Sequence, residues 1–118
     1  MAGYRDLKVW QASMRLAGEA YRLSAHFPKH EVYGLASQLQ RSAVSVPSNI
    51  AEGHGRNSPK EFNYFLGIAS GSLAELETQL MLAQQFAYLT EEEIASPLQL
   101  ADEIGKMLKG LQKSLSIN

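Results

Sequence analysis

The amino-acid sequence predicts an all-α fold, an antiparallel up-down-up-down four-helix bundle that forms a single domain over residues 1–118. Four segments repeat apolar residues at steps of three and four, which is the period of a helix that buries one face. No segment alternates as a strand would. Because the loops are short, about 4–6 residues, successive helices must be antiparallel. We expect the helices near residues 6–26, 31–53, 59–88 and 91–116.

The first helix is predicted to begin at Asp6, whose carboxylate can accept hydrogen bonds from the free amides of the first turn. It ends near Phe27, because Pro28 follows and the residue before a proline is pushed out of the α region. Its core face is expected to carry a main stripe and a set that widens it: Leu7, Trp10, Met14, Ala17, Tyr21 and Ser24, then Val9, Leu16, Ala20 and Leu23.

The second helix contains a proline and is followed by two glycines. Pro47 removes one backbone hydrogen bond and its ring collides with the carbonyl of Ala43, which costs about 3 kcal/mol or more. The resulting kink either wraps the helix around its neighbours or shapes a surface for a partner. Gly53 and Gly55 are expected to supply the positive φ values that end the helix. The core stripe is Val32, Leu35, Ala36, Leu39, Ala43, Val46 and Ile50.

The third helix begins with Ser58 as N-cap, Pro59 at the first position and Glu61 completing a capping box. Gly67 and Gly71 lie inside it, where each costs about 1 kcal/mol relative to alanine. Close packing should compensate, either inside the bundle or between subunits. The core stripe is Phe62, Leu66, Ala69, Leu73, Leu76, Leu80, Ala83 and Ala87.

The fourth helix begins at a second capping box, formed by Thr90 and Glu93. Pro97 lies one or two turns further on, so we expect a kink there or a restart with Ser96 as cap. The core stripe is Ile94, Leu98, Ala101, Ile104, Leu108, Leu111 and Leu115.

Polar residues concentrate at the turn between the second and third helices, where Asn49, Glu52, His54, Arg56 and Glu61 lie close in sequence. A metal or acid–base site is one interpretation, but the E-x-x-H pairs of di-iron bundles do not occur in this chain. The other interpretation is hydrogen bonding that fastens the turn, with Asn49 and Glu52 capping loop amides and Arg56 pairing with a carboxylate. We favour the second and predict no catalytic residue, metal or cofactor.

Arg41 and Glu75 are expected to form an ion pair. If the second and third helices form a hairpin about residue 56, these two residues lie within about one turn of each other. Such a pair would be partly buried, and each member would be costly without the other.

The stretch SVPSNIAEGHGRNSPKEF, together with YRDLKVWQASMRLAGEAYRLSAHFP and MLKGLQKSL, resembles the bacterial 23S rRNA intervening-sequence proteins, whose relatives include the accessory protein of diversity-generating retroelements. The resemblance implies a four-helix bundle without established enzymatic activity that assembles into a homo-oligomeric ring, a pentamer being favoured. The retroelement accessory protein is strongly basic and works with a reverse transcriptase and RNA. The signature positions in this chain are Pro47, Asn49, Glu52, Gly53, Arg56, Ser58, Glu61, Gly71 and Glu75.

The bulk properties describe an ordinary globular chain, with 45% apolar and 19% charged residues and a net charge of −1. The absence of cysteine excludes disulfides and thiolate chemistry. No apolar run is long enough for a membrane span or a signal peptide, so we expect a cytoplasmic protein without a membrane partner.

Basic residues are concentrated on the first and last helices, in two rows that would form one basic face if these helices are neighbours. A basic face of this kind would bind the phosphates of RNA or DNA, and binding would weaken with salt. The alternative is a solvated charged surface. The residues are Lys8, Arg15 and Arg22 in the first row and Lys106, Lys109 and Lys113 in the second.

The sequence therefore predicts a non-enzymatic, oligomeric protein associated with RNA or DNA. The alternative is a structural oligomer that binds a protein partner through an apolar surface including Tyr64, Phe65 and Phe86. An enzyme is not expected, because His26, His30 and His54 lie at helix ends or turns. Self-association is predicted from a second apolar set that a single bundle would leave in water: Val9, Leu16, Leu23, Phe65, Ile68, Leu82 and Phe86.

Overall fold

The computed structural model describes residues 3–116, which contain four α-helices and no strand. The helices contact one another in a cycle, with α1 against α2, α2 against α3, α3 against α4, and α4 back against α1. This confirms the all-α prediction. The bounds are α1 Lys8–Ser24, α2 Leu35–His54, α3 Pro59–Gln85 and α4 Glu91–Leu115, with short 3₁₀ helices at Tyr4–Asp6 and Lys29–Glu31.

The core is one cluster of aliphatic side chains to which all four helices contribute. Burying each large aliphatic side chain contributes about 1.5–3 kcal/mol, so this cluster is the main source of stability. Its fully buried members include Leu16, Leu23, Leu39, Ile50, Leu66, Leu76, Leu80, Ile104 and Leu108.

The predicted core face of α1 is partly wrong. Met14 and Tyr21, assigned to the main stripe, are each 48% exposed, whereas Leu16 and Leu23 are completely buried. Both stripes are apolar. The stripe that packs against α2 and α4 is the second set, containing Leu16 and Leu23, which was expected only to widen the core face. The same result removes Val9, Leu16 and Leu23 from the predicted exposed apolar set.

The first two helices begin later than predicted. Asp6 is not the N-cap of α1, because it closes the preceding 3₁₀ turn and its Oδ2 accepts from the amide of Gly3 at 3.3 Å. In α2 the expected core residue Val32 is 58% exposed and precedes the helix. The cap comes instead from Glu31, whose Oε1 accepts from the amide of Leu35 at 2.9 Å.

The turn between α2 and α3 does not use positive-φ glycines. The left-handed residue is Asn57, at φ 56°, whereas Gly55 has φ −73°. Gly53 remains inside α2 and is required for packing, because a Cβ there would come within 2.6 Å of the Cβ of Phe65. A second left-handed residue, Ala87 at φ 66°, follows the end of α3, so Ala87 lies outside the helix and is not in its core stripe.

Both prolines predicted to interrupt helices lie buried inside them. Pro47 is within α2 as expected. α4 continues through Pro97 to Leu115 in one piece, so the predicted restart at Ser96 does not occur.

The two predicted capping boxes differ. The Thr90–Glu93 box is complete, with amide-to-side-chain hydrogen bonds of 3.0 and 2.9 Å. At Ser58 only half of the box forms, in which the amide of Glu61 donates to the serine hydroxyl at 3.2 Å.

We predict that Gly53→Ala destabilises the fold. The new Cβ would collide with Phe65, and overpacking of this kind costs about 1–3 kcal/mol, more than the gain of about 1 kcal/mol in helix propensity. Gly110→Ala is the matched control, because nothing lies within 4 Å of its added Cβ. Urea unfolding should show a lower free energy of unfolding for Gly53→Ala and an equal or higher one for Gly110→Ala. Equal effects would contradict the packing role.

We predict that Glu31 makes stability depend on pH. Its hydrogen bond from the Leu35 amide, followed by that from the Tyr88 hydroxyl, lowers its pKa below the ordinary 4.5. A lowered folded-state pKa adds stability that is present above pH 4.5 and is lost as pH falls through the folded value. The free energies of unfolding of Glu31→Gln and the parent should therefore differ at pH 7, and the difference should shrink as pH falls through the folded-state pKa of Glu31. A pH-independent difference would contradict this, and Glu103→Gln, at an exposed residue, is the control.

Candidate functional site

The six basic residues predicted to bind nucleic acid are all exposed. Two of them are in ion pairs on their own helices, with 3.0 Å between Arg22 Nη2 and Glu19 Oε1 and 3.4 Å between Lys106 Nζ and Asp102 Oδ2. The other four have no ion pair among the described residues: Lys8, Arg15, Lys109 and Lys113.

The row on α1 lies at the edge of α1 that faces α4. The hydrogen bond with Glu19 raises the pKa of the Arg22 guanidinium, and the charge of Glu93 on α4 contributes to the same shift. Glu93 also places α4 beside the end of α1, because its Oε2 lies 3.1 Å from Nδ1 of His26.

The row on α4 lies at its other edge, next to α3. Asp102, the partner of Lys106, is close enough to Glu77 of α3 that its charge, after burial, helps to raise the pKa of that carboxyl group. At 3.6 residues per turn, the exposed strip of α4 between this edge and α1 carries Glu103, which is within one turn of Lys106. The structure thus brings α1 and α4 together but places one acidic residue, Glu103, between the two basic rows.

The polar residues of the α2–α3 turn fasten it, as one interpretation of the sequence expected. Arg56 is central, with Nη2 2.8 Å from Oε2 of Glu52 and Nη1 3.7 Å from Oε1 of Glu61. Its guanidinium also lies over the ring of Phe65, 5.1 Å from the centroid. Asn49 does not cap loop amides, because its Nδ2 donates to the backbone carbonyl of Ser45 at 2.8 Å inside α2. Glu52 pairs with Arg56 and not with a loop amide.

No group of three or more His, Cys, Asp or Glu side chains in residues 3–116 is arranged to hold a metal ion. Over the same range, no helix is both long enough and apolar enough to cross a membrane.

A polar ladder joins α2 to α3, and sequence reasoning missed it. The hydroxyl of Ser45 lies 2.7 Å from that of Ser72, and the hydroxyl of Ser42 lies 2.7 Å from the side-chain amide of Gln79. Asn49 extends the ladder by donating to Ser45 Oγ at 2.9 Å. The sequence signal that could have revealed the ladder is the set of serines interspersed among the apolar residues of α2.

Arg41 and Glu75 do not form the buried ion pair predicted from the hairpin. Both are exposed, and no ion pair joins them. The polar ladder fills the contact between α2 and α3, so the longer side chains of Arg41 and Glu75 lie outside that contact, at the surface. Both residues line a groove of about 760 Å³ that runs over α2 between α1 and α3.

The outer face of α3 is open. A Cβ added at Gly71 meets nothing within 4 Å, and one at Gly67 meets only Nε2 of Gln112, at 3.8 Å. Tight packing inside the bundle, the first explanation for these glycines, is therefore wrong. On the same face Tyr64 is 65% exposed and Ile68 is 36% exposed.

These observations define a four-helix protein whose distinctive residues lie on its surfaces and at one turn. The chain belongs to the 23S rRNA-intervening sequence protein family, whose model matches residues 5–110.

Among solved structures, the chain is similar to a protein of unknown function from the S23 ribosomal protein family of Bacteroides thetaiotaomicron. The two are 27% identical, the match covers 89% of this chain and 98% of the other, and the TM-score is 0.82. No protein with a curated description matches significantly.

Proposed function

We propose that this protein is a non-enzymatic, self-associating scaffold built from an up-down-up-down bundle. The observation that carries the proposal is the open outer face of α3, where among the described residues an added Cβ would meet nothing within 4 Å at Gly71 and only Nε2 of Gln112, at 3.8 Å, at Gly67.

The contacts between helices support the antiparallel arrangement. As residue numbers rise along α2, the residue numbers of the partners on α3 fall: Ser42 contacts Gln79, and Ser45 contacts Ser72. His26, just after α1, contacts Glu93 at the start of α4, which places the end of one helix beside the beginning of the other.

The two glycines indicate that something approaches α3 closely. In the middle of a helix they cost about 2 kcal/mol together relative to alanine, and no close packing among the described residues offsets this cost. Glycines allow a second helix to approach closely, and the exposed Tyr64 and Ile68 beside them would be removed from water by the contact. A second copy of the chain provides such a helix. The resemblance to the intervening-sequence proteins favours a closed ring of five.

We predict that light scattering at tens of micromolar gives a mass several times that of the 13.0 kDa chain. Gly71→Leu should lower this mass, because a leucine would separate the helices, whereas Gly110→Leu should leave it unchanged. A parent protein of 13.0 kDa would contradict self-association. A parent assembly that Gly71→Leu leaves intact would contradict the use of this α3 face.

Nucleic-acid binding is a second candidate function, and it is favoured by four exposed basic residues that have no ion pair within residues 3–116: Lys8, Arg15, Lys109 and Lys113. It is also what a resemblance to the retroelement accessory protein would imply. Because Glu103 lies between the rows, the two rows would contact phosphates separately at that level.

For this second function we predict that replacing Lys8, Arg15 and Arg22 together with alanine weakens binding to RNA or DNA. Each lost phosphate contact should reduce the slope of log affinity against log salt by about one unit. The fold should survive, since the three residues are exposed, and circular dichroism checks this. The triple alanine variant of Lys106, Lys109 and Lys113 tests the second row. If the salt slopes are unchanged in both variants, the basic rows do not bind nucleic acid, and the scaffold is the one proposed function that remains.

A further inference from the structure

The contact proposed at the open face of α3 does not assign a role to the groove over α2. Its floor is α2, one wall carries Tyr21 of α1, and the other wall carries Ser72, Glu75 and Gln79 of α3. Of the remaining lining residues on α2, only Val44 is apolar.

The floor has the shape that a helix requires. Ser37, Arg41, Val44 and Ser48 follow one another at steps of four, three and four, so they lie along one face of α2. At about 1.5 Å per residue they span roughly 16 Å, or three helical turns. Two of the four, Ser37 and Ser48, are small, which favours the approach of a second helix to the usual interaxial distance of about 8–10 Å at both ends of the row.

The charges of the groove suit a protein occupant and disfavour a nucleic acid. Arg41 and Glu75 contribute one charge of each sign, and neither has an ion-pair partner among the described residues. A phosphate backbone attracted to Arg41 would be repelled by Glu75. A helix carrying both an acidic and a basic side chain would satisfy both groups.

The groove is continuous with the face on which self-association was proposed. A smaller hollow of about 290 Å³ shares Gln38, Glu75 and Gln79 with it and extends to Ala74 and Thr78 on α3. Ala74 lies about one helical turn from Gly71, in the open α3 face. A partner bound at those glycines would therefore extend over the groove.

We propose that this groove receives a helix from a second copy of the chain, and that Arg41 and Glu75 select the helix by charge. The inference rests on the proposed self-association. Two concave grooves do not fit each other, so the contact joins the groove of one copy to a different, convex surface of the next. Contacts between unlike surfaces generate rings when the rotation closes.

The test uses the full chain and two independent changes in the groove. Ser48→Trp fills the floor, and Arg41→Glu reverses its positive charge. Both positions are exposed, so the fold should be retained. Lys29→Glu is the matched control, because it makes the same charge change at an exposed residue outside the groove and outside both basic rows. Light scattering over a dilution series gives the association midpoint, and urea unfolding verifies the fold.

We expect both groove variants to associate at least tenfold more weakly than the parent, and Lys29→Glu to associate like the parent. If the parent assembles and both groove variants assemble equally well, the groove is not part of the interface, although self-association stands. If the parent is a single chain at every concentration, the proposed function and this inference both fail.

Discussion

The packing of α2 against α3 is the constraint on which the other features depend. At the turn end, Gly53 allows the backbone of α2 to come so close to α3 that even a methyl group would collide with Phe65. Further along, the hydroxyls of Ser45 and Ser72 meet at 2.7 Å. Small residues at both places set the distance between the helices and their register, and Arg56 fastens the turn that joins them.

This close contact determines which polar groups are satisfied inside the chain and which remain on its surface. Ser42, Ser45 and Ser72 find partners between the helices, and no buried side-chain nitrogen or oxygen among the described residues lacks a hydrogen bond. Arg41 and Glu75 remain outside this contact, with Arg41 on the α2 floor of the groove and Glu75 on its α3 wall. The same orientation of α3 turns Gly67 and Gly71 outward. The groove and the open face are therefore two consequences of one packing arrangement.

The sequence predicted the number of helices, and most of their ends within a few residues, because caps and apolar periodicity are local signals. The sequence-based prediction failed where two structural arrangements fit the local sequence equally well. On α1 both Met14 and Leu16 belong to apolar stripes, and only the neighbouring helices decide which stripe is buried. Glycine at the α2–α3 turn suggested positive φ, yet Asn57 takes that conformation while Gly53 serves tertiary packing. The groove depends on the register of two helices, which no local pattern encodes.

The central claim is that the groove and the outer face of α3 are covered in solution, and three tyrosines test it in one experiment. In the single chain Tyr21 in the groove wall is 48% exposed, Tyr64 on α3 is 65% exposed, and Tyr33 before α2 is 96% exposed. Hydroxyl-radical footprinting read by mass spectrometry reports the accessibility of each side chain. We predict that Tyr21 and Tyr64 are labelled much less than their exposed fractions in the single chain imply, whereas Tyr33 is fully labelled. Labelling of all three in proportion to their single-chain exposure would contradict it.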